Sequence, residues 1–125
     1  KPDRYILVGS PKWKGRRLND LLENERVIDF DDSDQTTLNY LKKFDLISQL
    51  KKPRLFVNNN EAIIKYFSRG IGFGTLTQEI AKPHLDAGDL VVFNGGAVME
   101  DQLALAWYPR PEMPPYLKAI INSIR

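Results

Sequence analysis

Short apolar runs alternate with helix-like segments along residues 5–93, and this alternation constrains the fold more than any other feature of the sequence. The runs are almost continuously apolar, which is typical of strands that are buried on both faces. The segments between them place Leu, Ile or Phe at helical spacing. We therefore predict an α/β fold with a mostly parallel sheet and helices on both of its faces. The predicted strands are residues 5–8, 26–30, 54–57, 71–76, 90–93 and 103–108.

The composition is that of one globular domain, with 125 residues of which 42% are apolar and 27% are charged. No apolar run approaches the length of a membrane span, so we expect no membrane partner. The chain has no cysteine, which excludes disulfides and thiolate metal sites and fits a cytoplasmic location. The net charge of +2 is too small to indicate nucleic-acid binding by itself. The first residue is Lys and no signal peptide follows, so we expect a processed product or a piece of a longer protein.

In an open parallel sheet, ligands bind outside the carboxyl ends of the strands, where the next helices begin. The residues that directly follow each predicted strand are therefore the candidates for a binding site. They are Gly9 and Ser10, the segment 31–34, the segment 58–60, and Gly74 with Thr75.

Three consecutive asparagines, Asn58, Asn59 and Asn60, separate a predicted strand from a helix at residues 61–69. Asn58 and Glu61 have the spacing of a capping box, and either Asn58 or Asn59 can be the N-cap. The remaining amides then lie at the positive end of the helix dipole, where a carboxylate or another anion binds well. Amides orient a ligand without reacting with it, so this segment indicates binding rather than turnover.

An acidic segment, Asp31-Asp32-Ser33-Asp34, follows the second predicted strand. Ser33 and Asp34 are explained by capping of the next helix, because their oxygens accept otherwise unpaired backbone N–H groups. Capping is favoured over a hard-metal site, which draws oxygens from several elements. Asp31 and Asp32 exceed what a cap needs, and this leaves recognition of a cationic ligand group open.

Other motifs favour structural explanations. His84, the only histidine, has no nucleophile or metal partner at a suggestive spacing, and Pro83 beside it is expected to end a short helix at residues 78–81. The glycines at 70, 72 and 74 stand between a helix and a strand, the reverse of a dinucleotide motif, so they indicate a helix cap and close packing. The basic segment 12–17 is best explained as a solvated loop. The sequence thus predicts no catalytic residue, no metal and no cofactor.

The chain resembles the effector-binding domain of LysR-type transcriptional regulators over nearly its whole length. The most specific parts are VNNNEAIIKYFSRGIGFGTL, at residues 57–76, and LDAGDL, at 85–90. The runs YILVGSPKW, LNDLLENERVIDFDD and QLALAWYPRPEMPPYLKAII carry the rest of the resemblance. It implies one lobe of a type 2 periplasmic-binding-protein-like fold, in which a small molecule binds between two lobes.

By this resemblance, residues 5–93 form the second lobe, while the strand 103–108 and the helix 116–125 return to the first lobe. Most of the first lobe and the DNA-binding helix-turn-helix are then expected outside the chain, so we expect contact with DNA only through that missing domain. The apolar strand and helix at 103–125 also predict a homo-oligomer.

The resemblance implies a small-molecule effector, and the mixture of amides and carboxylates suits an amino-acid-like compound or a carboxylate. The ligand-binding residues it implies are Ser10, Asp31, Asp32, Asn58, Asn59, Asn60, Gly74 and Thr75. Two other classes compete with the regulator: a lobe of a periplasmic solute-binding protein of a transporter, and a small α/β enzyme. The second is disfavoured because the sequence shows no convincing nucleophile–base pair.

Overall fold

The computed structural model describes residues 3–101, so the predicted strand at 103–108 and the helix at 116–125 lie outside the described residues. Residues Tyr5–Met99 form one compact unit, and Arg4 and Glu100, joined by an ion pair of 3.3 Å, belong to a second unit. Strands and helices alternate along the chain. They are β1 (Asp3–Gly9), α1 (Leu18–Asn24), β2 (Ile28–Asp29), α2 (Thr36–Lys43), β3 (Leu55–Phe56), α3 (Asn60–Arg69), β4 (Gly74–Thr77), α4 (Gln78–Asp86), β5 (Val91–Phe93) and β6 (Met99–Asp101).

The prediction of a mostly parallel sheet is wrong. The main sheet has the order β4-β1-β5, with β6 also paired to β1. Strand β1 runs antiparallel to β4, with Tyr5 opposite Thr77, and antiparallel to β5, with Leu7 opposite Phe93. Parallel pairing is found in the short β2–β3 pair and in one isolated bridge between Val27 and Phe73.

The physical reason for this error is that β1 is buried on both faces although its neighbours are antiparallel. Ile6 and Val8 belong to one core cluster, which includes Ile63. Leu7, between them in sequence, belongs to a second cluster that includes Phe73. A strand with two buried faces is continuously apolar whatever the direction of its partners, so the apolar run could not reveal the direction.

A smaller set of strands does run in one direction, and this set positions the candidate site. Ile28 in β2 pairs in parallel with Leu55 in β3. The Ile28 N–H donates to the Phe73 carbonyl at 2.9 Å, and the Phe73 N–H donates to the Arg26 carbonyl at 3.0 Å. Strands β2, β3 and β4 therefore end at the same edge, where α2, α3 and α4 begin. The polar residues after these strands are brought together for this reason.

The helix caps follow the sequence closely. Asn59 is the N-cap of α3, where its side chain accepts the Ala62 N–H at 3.0 Å, and Gly70 ends the helix in the left-handed conformation with φ 78°. Thr77 is the N-cap of α4, where its side chain accepts the Ile80 N–H at 3.3 Å. Helix α4, however, continues through Pro83 to Asp86, so the predicted stop at Pro83 is wrong. Proline leaves the carbonyl four residues earlier unpaired, and Glu79 at that position is exposed, where water can satisfy it.

Helix α2 is attached at its middle to the segment that precedes β6. The buried Tyr40 hydroxyl donates to the Ala97 carbonyl at 2.8 Å and accepts from the Asn94 side-chain amide at 3.1 Å. In the part of the chain that the structure describes, no helix is long and apolar enough to cross a membrane.

Replacement of Gly72 by alanine should destabilise the fold because the added Cβ has no room. It would lie 2.5 Å from Ile28 Cγ1 and 2.6 Å from the Arg26 carbonyl oxygen. That carbonyl accepts the Phe73 N–H, so it cannot move without loss of a hydrogen bond. We expect the free energy of unfolding to fall by about 3 kcal/mol, the upper part of the usual range for overpacking. Urea denaturation measures this change.

The control is Gly15→Ala, because nothing lies within 4 Å of a Cβ at Gly15 and only its positive φ of 89° is strained. It should cost about 1 kcal/mol. Equal losses for the two variants would contradict the steric explanation at Gly72.

Asn59→Ala should cost about 1 kcal/mol, the usual value of an N-cap side chain. Asn58→Ala is a matched control, since Asn58 is exposed and no hydrogen bond of its side chain is found among residues 3–101. Urea denaturation of both variants compares them. A larger loss for Asn58→Ala would contradict the assignment of the cap.

Candidate functional site

A cavity of about 250 Å³ lies at the edge where β2 and β4 end and where α2 and α3 begin. We call it the threonine cavity, because threonines of two elements contribute to its wall. Its floor and sides are apolar, with Ile28, Ile63 and Phe67 among them. The polar residues that line it are Tyr5, Asp29, Asp34, Thr36, Thr37, Asn60, Thr75 and Thr77. A small cavity with an apolar lining and several convergent polar groups is typical of a small-molecule site.

The hydroxyls of Thr37 and Thr75 join helix α2 to strand β4. Their Oγ1 atoms are 2.8 Å apart, and the Thr75 N–H also donates to Thr37 Oγ1 at 3.1 Å. Thr37 is almost completely buried, whereas Thr75 is partly exposed toward the cavity. The pair therefore fixes the position of the Thr75 hydroxyl at the cavity wall.

Asp29, at the end of β2, is a buried carboxylate with one cationic partner. Only 3% of it is exposed, and its Oδ2 accepts a hydrogen bond from Arg54 Nη1 at 2.7 Å. Burial raises the pKa of Asp29 above its ordinary value, and this outweighs the lowering by Arg54. The repulsion from Asp34 adds to the rise. Asp29 thus belongs to an ion pair in the wall rather than to a free anionic site.

The acidic segment forms a tight loop between β2 and α2. Asp31 Oδ1 accepts the N–H and the hydroxyl of Ser33, at 3.0 and 2.7 Å. The carboxylate of Asp34 accepts the N–H groups of Phe30 and Thr36, each at 3.2 Å. Gln35 is the N-cap residue and makes no side-chain cap, so Asp34 satisfies the first N–H of α2 from one position earlier. Asp34 lines the cavity, while Asp31 and Asp32 do not.

Of the sequence-predicted site residues, Asn60 and Thr75 line the threonine cavity. Gly74 lies beside its floor, since a Cβ there would be 2.9 Å from Phe67 Cζ. Asn58 and Asn59 are exposed beside Asn60 at the start of α3 and do not line the cavity. Their contact with a ligand stays a prediction, as does that of Asp31 and Asp32.

Ser10 lies apart from the other predicted residues, at the opposite end of β1. Strand residue Tyr5 pairs with Thr77 at the cavity, and Ser10 is five residues further, about 16 Å along an extended strand. It is fully buried. Its hydroxyl donates to the Ser68 carbonyl and accepts the Lys12 N–H, both at 3.0 Å. The hydroxyl thus joins the end of β1 to the end of α3, and its contact with a ligand remains a prediction.

Sequence reasoning did not identify Asp29, Thr36, Thr37 and Thr77 as residues of the site, and it explained Asp34, a candidate by its position, as a helix cap. A usable signal existed for Asp29, because an acidic residue inside an apolar strand must find a partner when it is buried. The two threonines at the start of α2 carried no such signal, since threonine is common at helix starts.

Residues 14–16 of the basic segment line a second depression. A wider depression of about 790 Å³ lies against β5, with Lys14 and Arg16 at its rim. Arg16 is paired with Asp20 at 2.8 Å and Glu25 at 2.9 Å, which neutralises part of the basic loop. Among the residues that the structure describes, no group of three or more His, Asp or Glu could hold a metal ion.

The raised pKa of Asp29 predicts a pH dependence of stability. Because the folded state binds this proton more tightly than the unfolded chain, stability falls as pH rises from the ordinary value of 3.8 through the raised pKa. Asp29→Asn removes the titration. The stability of the wild type relative to this variant should therefore decrease as the pH rises above about 4. Urea denaturation at a series of pH values measures it, and an increase would show that attraction by Arg54 outweighs burial.

Several solved structures have a fold similar to that of this chain. The C-terminal domains of a LysR family protein from Agrobacterium tumefaciens str. C58 match 80% of this chain and 52% of theirs, with 20% identity and a TM-score of 0.65. ArgP from Mycobacterium tuberculosis matches 79% of this chain and 35% of its own, with 20% identity and a TM-score of 0.64. Full-length LysG from Corynebacterium glutamicum with bound effector Arg matches 79% and 35%, with 20% identity and a TM-score of 0.58. At this identity the likeness shows the fold alone.

The chain spans about half or less of the length of these proteins. No curated protein sequence matches it significantly. The family model of the LysR substrate binding domain matches residues 2–125, and it gives no support to a transport protein or to an enzyme family. Because this match covers almost the whole chain, the protein belongs to the LysR substrate-binding domain family, the effector-sensing part of LysR-type regulators.

Proposed function

We propose that the effector of this domain binds in the threonine cavity and that the effector is an amino-acid-like compound. The observation that carries the proposal is the convergence of polar groups from three elements on one apolar cavity: Thr36 and Thr37 from α2, Asn60 from α3, and Thr75 with Thr77 from β4. The cavity also lies where the parallel strands end, which is the usual place for a ligand in such an arrangement.

The start of α3 suits the carboxylate of such a ligand. The Asn59 side chain occupies the Ala62 N–H, while no acceptor for the N–H groups of Asn60 and Glu61 is found among residues 3–101. These two groups lie at the positive end of the helix, and a carboxylate there gains both hydrogen bonds and a favourable dipole interaction.

The other wall of the cavity suits a donor group such as an ammonium. Asp34 brings a carboxylate, and the threonine hydroxyls bring acceptor oxygens. A ligand with a carboxylate and an ammonium a few ångströms apart would meet complementary groups on both sides. The LysG structure with bound Arg supports this ligand class, because an amino acid serves as the effector of a protein with a similar fold.

The sequence-predicted residues have different proposed roles in ligand binding. Asn60 and Thr75 are proposed as direct contacts. Asp31, Asp32 and Asn58 are proposed as contacts at the rim, while Gly74 is proposed to act at the floor, where it lets the Phe67 ring approach the backbone. Asn59 and Ser10 make structural hydrogen bonds, so their contact with a ligand is the weakest part of the sequence prediction.

Binding of this kind would work through a shift between lobe arrangements. The effector favours the arrangement that it binds better, and this bias would alter how an oligomer of the intact regulator holds DNA. We assign the contact with DNA to a helix-turn-helix outside residues 1–125. We also propose binding without turnover and without a cofactor, because the groups that line the cavity orient a ligand and none is an activated nucleophile. We propose a cytoplasmic location from membership of the LysR family.

A thermal-shift screen of the full chain and of the intact regulator tests the ligand class. We expect stabilisation by compounds that carry both an α-carboxylate and an α-ammonium, from a panel of the proteinogenic L-amino acids with matched organic acids and amines. A ligand concentration of about 100 times the Kd should raise the free energy of unfolding by about 2.7 kcal/mol. Thr75→Val should abolish the shift because it removes the hydroxyl at nearly constant volume, whereas Ser48→Ala, on an exposed residue away from the cavity, should preserve it.

Stabilisation by a purely anionic or uncharged compound alone would contradict the amino-acid class. A shift that survives Thr75→Val unchanged would place the ligand outside the threonine cavity. The regulatory part of the proposal is tested separately, since the stabilising compound should change the affinity of the intact regulator for its operator DNA.

A further inference from the structure

We infer that Arg54 is a positioning residue for the threonine cavity: it does not line the cavity, but it holds residues that do. Its guanidinium holds the loop of residues 30–35 against β2, and this loop presents Asp34 to the cavity. The part of the inference that concerns ligand affinity rests on the proposed function. The part that concerns the loop rests on the contacts alone.

Arg54 contacts two residues of the cavity wall and one residue of the adjoining loop. Its Nη1 donates to Asp29 Oδ2 at 2.7 Å and to the Asp34 carbonyl at 2.8 Å. Its Nη2 is 3.4 Å from the Asp32 carbonyl, the longest of the three. The side chain is 17% exposed, so these contacts are largely shielded from water. Charge-assisted bonds in such a place are about twice as strong as neutral ones.

The loop depends on Arg54 because its other hydrogen bonds are local. Asp31 bonds to Ser33, and Asp34 bonds to Phe30 and Thr36. Within the described part of the chain, every hydrogen bond from another segment to residues 31–34 comes from Arg54. Local bonds fix the shape of a loop, but only a long-range bond fixes its place relative to the cavity.

Phe56 holds the guanidinium from the solvent side. The Arg54 Cζ lies 4.9 Å from the centre of the Phe56 ring, a cation–π distance. The ring is 48% exposed, which is unusual for a phenylalanine in a strand and is explained by this stacking. A lysine could replace the charge of Arg54, but it could not make the forked contacts or stack on the ring in the same way.

The test compares Arg54→Lys with Arg26→Lys. Arg26 is a matched control, since its guanidinium also bonds two backbone carbonyls, those of Pro53 and Arg54, but at the beginning of β3 and away from the cavity. Amide hydrogen exchange of the full chain is measured at Phe30, Ser33 and Thr36. We expect exchange at these amides to be about tenfold faster or more in Arg54→Lys, because the loop then opens more often. We expect no such change in Arg26→Lys.

The second measurement is titration with the proteinogenic L-amino acids. If the wild type binds one of them, Arg54→Lys should weaken that binding by about tenfold, the effect of one lost charge-assisted bond. Phe56→Leu gives a variant that is expected to fold, since the ring is at the surface, and it should accelerate loop exchange by a smaller factor than Arg54→Lys.

The outcomes separate the two proposals. Unchanged exchange at Phe30, Ser33 and Thr36 in both Arg54→Lys and Phe56→Leu would overturn the positioning role, whatever binds. Faster exchange with unchanged affinity would overturn its relevance to the ligand. Faster exchange in Arg54→Lys, together with no amino-acid binding by the wild type, would support the loop contact and would contradict the proposed function instead.

Discussion

Burial of strand β1 on both of its faces is the constraint on which the rest of the fold depends. Ile6 and Val8 contribute to one core cluster, and Leu7 to the other, so a single strand separates two hydrophobic layers. Its backbone groups are paired with β4 on one side and β5 on the other. The threonine cavity exists because β4 is anchored in this sheet while its end, at Thr75 and Thr77, faces the start of α2.

The sequence predicted local structure well and sheet direction poorly. The caps at Asn59, Gly70 and Thr77 were recognisable because each depends on a few neighbouring residues. Strand direction depends on pairing between residues that are distant in sequence, such as Tyr5 with Thr77, and an apolar run has the same composition in either direction. The helix through Pro83 was missed for a similar reason, since solvent exposure of the neighbouring turn decided the outcome.

Only part of the candidate site could be predicted from the sequence. The rule that ligands bind after parallel strands indicated the edge where the threonine cavity lies, and Asn60 and Thr75 line that cavity. Thr37 and Asp29 were not identified, because their importance comes from partners elsewhere in the chain. Thr37 meets Thr75 across 38 positions, and Asp29 meets Arg54 across 25.

Helix α2 connects the cavity to the segment that precedes β6 through two hydrogen bonds. Thr37 and Tyr40 stand three residues apart on one face of this helix, separated by less than one turn of about 5 Å. Thr37 bonds to the cavity strand, and Tyr40 bonds to Ala97, two residues before β6. A rigid helix that moves at one of these contacts must move at the other. A displacement of α2 at the cavity would therefore also displace the segment that leads to β6.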